Sequence, residues 1–292
     1  MLKKNQFIRS HGLGNDYLIV DLAQLSFPLT PQNIIQICNR HTGIGSDGIL
    51  ALLPASSAEA ALKIYNPDGS EAEKSGNGLR IFSKFLYEHG YTEKMKFEIE
   101  TLGGTVKSFL HIVLGHVVTV TVEMGQATFD AEKIPIHGIT GEVINFPLEI
   151  TLAGEKKRIP ITGVSMGNPH CVVFHDQIPN WSIHDLGPLL ENHPQFPNRS
   201  NVQLVTVNNP REVSIEIWER GAGYTMASGS SSCAVAAACV KTKKCQSDLT
   251  VHMPGGDLFL QVANDFQIKM RGPVEEICSG QFSDELLDHL KP

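Results

Sequence analysis

No run of roughly 18 apolar residues occurs anywhere in the chain, so no membrane-spanning helix is expected. Basic charge is also short. Against 31 Asp and Glu there are 24 Lys and Arg, and the net charge of −7 argues against non-specific nucleic-acid binding. The six cysteines (Cys38, Cys171, Cys233, Cys239, Cys245, Cys278) show no Cys-x-x-Cys spacing. A thiolate metal site or a disulfide framework is therefore not expected, and the thiols read as free and mostly buried in a reducing cytoplasm. Behind the lysines of Met1-Leu2-Lys3-Lys4-Asn5-Gln6-Phe7 there is no apolar segment, so no secretory leader is expected. The reading is a soluble cytoplasmic protein with neither nucleic acid nor membrane among its partners.

What remains is a globular composition, 41% hydrophobic and 19% charged over 292 residues. Such a length suits two domains of about 150 residues each. The chain also matches itself. Gly14-Asn15 precedes the apolar run Tyr17-Leu18-Ile19-Val20, and Gly167-Asn168 precedes Cys171-Val172-Val173-Phe174, 153 residues further on. Ser75-Gly76 and Ser228-Gly229 are also 153 apart, and Gly103-Gly104 and Gly255-Gly256 are 152 apart. Glycines recur by accident, but here the flanking hydrophobic patterns agree in the same order. The reading is an ancient duplication.

The coarse elements follow from pattern and punctuation. Strands are expected over 7–10 and 17–21, around a loop at 11–16. A helix over 31–39 has Thr30 as its cap and Pro31 at its first position. Strands over 48–53 and 61–66 lead through the turn at 67–70 to a central helix over 78–88, ended at Gly90. Strands at 96–101, 105–114 and 117–123 close the first half, and an irregular stretch at 126–147 carries the linker. The second half has a hairpin over 149–161 turned at Ala153-Gly154, a helix over 181–192, and strands at 202–208 and 212–219. It ends with a central helix over 232–241 and strands at 249–253, 258–263 and 267–272. A segment at 274–282 and a helix over 284–290 return to the first domain. The class is α+β, with two similar domains, 1–130 joined by 275–292, and 131–274, and a cleft between them.

The central helices open on turns of small residues, Ser75-Gly76-Asn77-Gly78 and Ser228-Gly229-Ser230-Ser231. A helix that begins this way leaves backbone amides free and aims the positive end of its dipole at whatever lies ahead. Asn15, Asn66, Asn77, Asn168 and Asn201 fall on loops and offer both donors and acceptors. Arg220 can grip a carboxylate bidentately and Glu219 can take an ammonium. Each feature alone has a plain structural explanation: a turn, a solvated strand edge or, for His170, a satisfied core histidine. Their matched placement in both halves points instead to a small amino-acid ligand with charged groups at both ends.

Taken together, His11-Gly12-Leu13-Gly14-Asn15-Asp16, Asn66-Pro67-Asp68-Gly69-Ser70-Glu71, Gly76-Asn77-Gly78-Leu79-Arg80, Val164-Ser165-Met166-Gly167-Asn168-Pro169-His170, Leu186-Gly187-Pro188-Leu189-Leu190-Glu191, Glu219-Arg220-Gly221-Ala222-Gly223 and Pro254-Gly255-Gly256 resemble the diaminopimelate epimerases over essentially the whole length. The resemblance implies two pseudo-symmetric domains, each a curved, mostly antiparallel sheet wrapped round a central helix. It implies an isomerase of lysine and peptidoglycan-precursor synthesis that interconverts LL- and meso-diaminopimelate by two-base α-proton transfer. No cofactor is implied, pyridoxal phosphate included, and a homodimer is. Substrate contacts are implied at Asn15, Asn66, Asn168, Asn201, Glu219 and Arg220, with backbone donors at Gly76, Asn77, Gly229 and Ser230.

The two catalytic cysteines implied by the resemblance are serines here, Ser75 and Ser228. A serine hydroxyl is far less acidic than a thiol and, unaided, is a poor base for a Cα–H. Ser231 and Ser232 also replace small residues, and Ile81 fills a position often held by cysteine. Three readings stay open. The pair is engineered to trap a substrate, or it is natural and works with His170 or a water as relay, on this or another amino acid, or the chain binds without turning over. Cys233, five residues past Ser228, is expected to pack in the helix; it is also the first thiol to consider as a replacement base.

Overall fold

The computed structural model of the protein describes residues 1–152, 154–177 and 180–290. Ala153, in the expected hairpin turn, and residues 291 and 292 of the C-terminal segment lie outside the described residues. The chain divides into two compact units, Met1–Val122 with Arg271–Pro292, and Glu123–Met270.

In the first unit, β1 (Gln6–Gly12) and β2 (Asn15–Asp21) form an antiparallel hairpin in which Gly12 faces Asn15. The loop expected at 11–16 shrinks to Leu13-Gly14. Both residues have positive φ, 57° and 87°, the pattern of a two-residue turn whose twist suits paired strands. Asn15 is therefore already on the ladder, and its direction is set by strand geometry. Helix α1 (Pro31–Cys38), capped by Thr30, carries the chain across to β3 (Ile49–Leu53), parallel to β2. Strand β4 (Ala60–Tyr65) runs antiparallel to β3, and the two-residue β5 (Glu71–Ala72) folds back on β4. Helix α2 (Gly76–Glu88) follows. Strand β6 (Lys96–Thr101) lies parallel to β4, and β7 (Gly104–Val113) and β8 (His116–Gln126) continue as an antiparallel meander.

Helix α2 touches β1, β2 and also β7, strands well separated along the sheet, so the sheet curls round it. Leu79, Ile81, Phe82, Phe85 and Leu86 are all at most 2% exposed. Arg80 and Ser83, on the polar side of α2, are fully buried as well, so the helix is enclosed on both faces.

The second unit repeats the plan. Strand β9 (Phe146–Leu152) pairs with β10 (Glu155–Ser165), which forms a hairpin with β11 (Pro169–Phe174). Helix α3 (Ile183–Glu191) crosses to β12 (Asn201–Asn209), parallel to β11. Strand β13 (Glu212–Glu219) and the three-residue β14 (Gly223–Thr225) follow antiparallel. Helix α4 (Gly229–Lys241) precedes β15 (Asp248–Met253), parallel to β13, then β16 (Gly256–Val262) and β17 (Gln267–Pro273). Finally β18 (Glu275–Gln281) pairs antiparallel with β1, and α5 (Asp284–His289) ends the described chain. Strand β18 thus lies against β1 as β9 lies against β10. Phe282 follows β18 into the first unit's core, with ring centroids 5.4 Å from Phe7 and 5.3 Å from Phe27.

Both central helices begin earlier than expected, at Gly76 and Gly229, because serine caps and burial outweigh the poor helix propensity of Gly, Asn and Ser. At their far ends the same bond recurs. The Tyr91 amide donates to the Leu86 carbonyl at 2.8 Å, and the Lys244 amide donates to the Cys239 carbonyl at 2.9 Å.

In the second unit α3 packs Ile183, Leu186 and Leu190 against Val202, Leu204 and Trp218. Gly187 lies so near Trp218 that a Cβ there would stand 2.5 Å from its Cγ. Replacing Gly187→Ala therefore forces the indole aside. The expected cost is about 1–3 kcal/mol, read as a lower urea midpoint with an unchanged slope.

Candidate active site

Each unit gathers candidate site residues at the N-terminus of its central helix. In the first, Ser75 is the N-cap of α2 in extended conformation. Its Oγ accepts from the Gly78 amide at 3.0 Å and lies 3.3 Å from the Tyr17 Oη. The amides of Gly76 and Asn77, at the first two helical positions, have no acceptor within the helix and face outward with the dipole. Behind them Arg80 is fully buried; its guanidinium donates to Asn77 Oδ1 at 2.8 Å and to the Gly76 carbonyl at 3.2 Å. That fixes Asn77, whose Nδ2 donates to Asn15 Oδ1 at 3.2 Å, and Asn15 Nδ2 in turn donates to Asp47 Oδ2 at 3.0 Å.

The chain of bonds ends in an ion cluster. Arg40 donates to Asp47 Oδ1 at 2.7 Å and to Asp16 Oδ1 at 2.6 Å, and Arg9 donates to Asp16 Oδ2. Burial alone would raise the Asp16 carboxyl, but the hydrogen bonds from Arg40 and Arg9 outweigh it and hold the carboxyl below its usual range. Asn66 is not drawn into this network. Its amide group bonds within its own turn, Nδ2 to Ser70 Oγ at 3.0 Å.

In the second unit Ser228 caps α4, its Oγ accepting from the Ser231 amide at 3.5 Å. The carboxylate of Glu219, the last residue of β13, lies near enough to the Ser228 hydroxyl to feel it. Burial raises the Glu219 carboxyl above the ordinary value, tempered by that hydroxyl. His170 is completely buried and pushed down to about 3 by burial, with the Arg220 charge adding to the effect. It is therefore neutral. Gln203 Nε2 donates to its Nδ1 at 3.1 Å, which leaves Nε2–H to donate to Asn168 Oδ1 at 3.0 Å. This environment suits holding Asn168 in place and does not favour carrying a proton. Asn201 ties the sheet to the turn after β13, with Nδ2 donating to the Pro169 carbonyl at 2.9 Å and Oδ1 accepting from the Arg220 amide at 3.1 Å. The Arg220 side chain is exposed and is anchored at one nitrogen by the Asn198 carbonyl. Cys233 is fully buried one turn into α4.

Several positioning groups escaped the sequence reading. Asp47 orients Asn15. Glu191, 6% exposed, accepts from Trp218 Nε1 and the Gly221 amide, both at 2.8 Å, and so holds the Glu219-Arg220-Gly221 turn. Gln203 links His170 to Ser231. Only Glu191 left a trace in the sequence, as the end of the Leu186–Glu191 motif. Among the described residues no group of three or more His, Cys, Asp or Glu is placed to hold a metal ion. None of their helices is long and apolar enough to cross a membrane.

Both units repeat one arrangement, a serine-capped helix flanked by Asn residues, and the family model of diaminopimelate epimerase matches residues 7–130 and 162–277. The chain belongs to the diaminopimelate epimerase family. Members of that family align over nearly its full length. A diaminopimelate epimerase 2 from Nostoc sp. is 46% identical over 282 residues, 96% of each chain. The diaminopimelate epimerase of Pelotomaculum thermopropionicum is 41% identical over 280 residues, 94% of this chain and 98% of that one. Among solved structures, a probable proline racemase from Agrobacterium radiobacter superposes with a TM-score of 0.71 at 16% identity, covering 96% of this chain and 93% of that one. A hydroxyproline epimerase from Agrobacterium vitis gives 0.70 at 17%, covering 94% and 91%. These structures share the fold.

The raised Glu219 carboxyl has a stability consequence of definite sign. Above pH 4.5, the ordinary glutamate value, the unfolded chain has released a proton that the folded chain still holds. Stability therefore falls as pH rises through that window, and the penalty persists above it. Glu219→Gln removes the penalty. The variant is expected to be more stable than the parent at pH 7, with the gap closing below about pH 4.5 in paired denaturant titrations.

Proposed function

We propose that this epimerase-family chain interconverts LL- and meso-diaminopimelate by moving the α-proton between faces, with Ser75 and Ser228 in the two base positions. The observation that carries the reading is the burial-raised Glu219 carboxyl beside the Ser228 hydroxyl at the N-terminus of α4. A lone serine is a poor base, whereas a hydroxyl that can pass its proton to a carboxylate made more basic by burial is a better one. Glu219 keeps a second oxygen for the substrate's ammonium group. In the other unit the Tyr17 phenol stands at Ser75 to return a proton to it.

The remaining roles follow from chemistry. The amides of Gly76, Asn77, Gly229 and Ser230 take the reacting carboxylate and the negative charge that develops at the α-carbon. Arg220 takes the distal carboxylate, and Asn15, Asn66, Asn168 and Asn201 supply neutral bonds. Nothing in this scheme draws on a cofactor. The homodimer and the cytoplasmic setting implied by the resemblance belong to the same proposal.

The test is proton NMR of LL- and meso-diaminopimelate in heavy water with the parent, Glu219→Gln and a Ser75→Cys/Ser228→Cys double variant. The parent is expected to wash out the α-hydrogen, and Glu219→Gln to slow the exchange by about 10²–10⁴. Binding without exchange by the parent, with exchange by the double variant, would make this a binding-only descendant. Failure to bind diaminopimelate alongside exchange on hydroxyproline would move the substrate to another amino acid.

A further inference from the structure

At the far end of α4 the chain turns back on itself in the second unit. Lys243 takes a left-handed φ of 59°, its amide bonds to the Val240 carbonyl at 3.0 Å, and the Lys244 amide bonds to the Cys239 carbonyl at 2.9 Å. This is the helix-ending motif that wraps the next residues over the last turn. The Cys245 amide reaches the same Cys239 carbonyl at 3.2 Å, which sets the two thiols close enough to influence each other, and the Cys245 thiol donates to the Asn209 carbonyl at 3.9 Å. The first unit makes the same turn, where the Thr92 amide reaches the Leu86 carbonyl at 3.1 Å. The fold thus brings this pair of positions together in both units, and only the second fills both with cysteine.

We propose that Cys239 and Cys245 form a redox pair that closes to a disulfide when a hydroperoxide reaches Cys245. The pair is asymmetric in the way such chemistry needs. Cys239 is fully buried, whereas Cys245 is half-buried. The neighbouring Cys239 thiol and the Lys244 charge favour the thiolate at Cys245, while the neighbouring Cys245 and burial keep Cys239 a thiol. Cys245 sulfur attacks one peroxide oxygen; an S–O bond forms, the O–O bond breaks, and the departing hydroxide takes a proton to become water. The Cys239 sulfur then attacks the Cys245 sulfenic sulfur and gives up its proton. The S–S bond forms, the S–O bond breaks, and a second water leaves. Two thiols and one hydrogen peroxide yield one disulfide and two waters.

The bridge staples the segment after α4 to the helix. Cys239 lies 11 residues along the helix from Ser228, about 16 Å away, so the candidate site is left untouched.

The experiment treats the full chain with equimolar hydrogen peroxide, alkylates it under denaturing conditions and digests it with trypsin. Lys241, Lys243 and Lys244 separate the two cysteines, so the bridge appears as two joined peptides that part on reduction. The Cys239 peptide also carries Cys233, so Cys233→Ala is run in parallel. Free thiols are expected to fall from six to four, with the link kept in Cys233→Ala and lost in Cys245→Ser. Oxidation of Cys245 to sulfinic acid without a link, or a link through Cys233 or Cys278, would overturn the proposal.

Discussion

An α-helix enclosed by a sheet must still find partners for the amides of its first turn, and water is not there to supply them. In both units a serine at the cap takes one amide, at Gly78 and at Ser231. The amides just ahead of these have no acceptor within the helix. Enclosure therefore does two things together. It supplies the apolar burial that stabilises each unit, and it concentrates unspent donors at one protected point. The buried Arg80 guanidinium adds a fixed positive charge behind the first of these points. The polar residues on the surrounding strand ends serve chiefly to hold that arrangement.

Much of this is legible in the sequence. The duplication showed in glycines and serines because turns and caps demand particular residue types, so they leave marks at fixed positions. The two central helices, the crossover helices and most strands fall where pattern placed them. Strands β5 and β14 did not show, since two or three residues cannot establish an alternation. The tightness of the Leu13-Gly14 turn was hidden because leucine does not advertise a left-handed conformation.

The supporting carboxylates were the least legible part. Asp47 and Glu191 matter because of what touches them, Asn15 for one and the Trp218 indole and Gly221 amide for the other. Those partners are far away in sequence, and nothing local distinguishes Asp47 from a solvated surface acid. The role of His170 was hidden for the same reason. Its neutrality comes from complete burial and from the Arg220 charge, and its partner Gln203 sits on the next strand. The partnership of Ser228 with Glu219 likewise depends on how β13 delivers its last residue to the cap of α4.

The pairing of β18 with β1 bears on how the chain is made. Residues 123–270 form one unbroken segment, complete as soon as they have left the ribosome. The first unit, by contrast, must keep β1 with an open edge while all of that segment is synthesised, and only then receives β18 and Phe282. During synthesis the later-coded unit is thus the first able to finish folding, and the earlier one waits with a hydrophobic seam exposed. In such a molecule the order of genetic coding and the order of structural completion run in opposite directions.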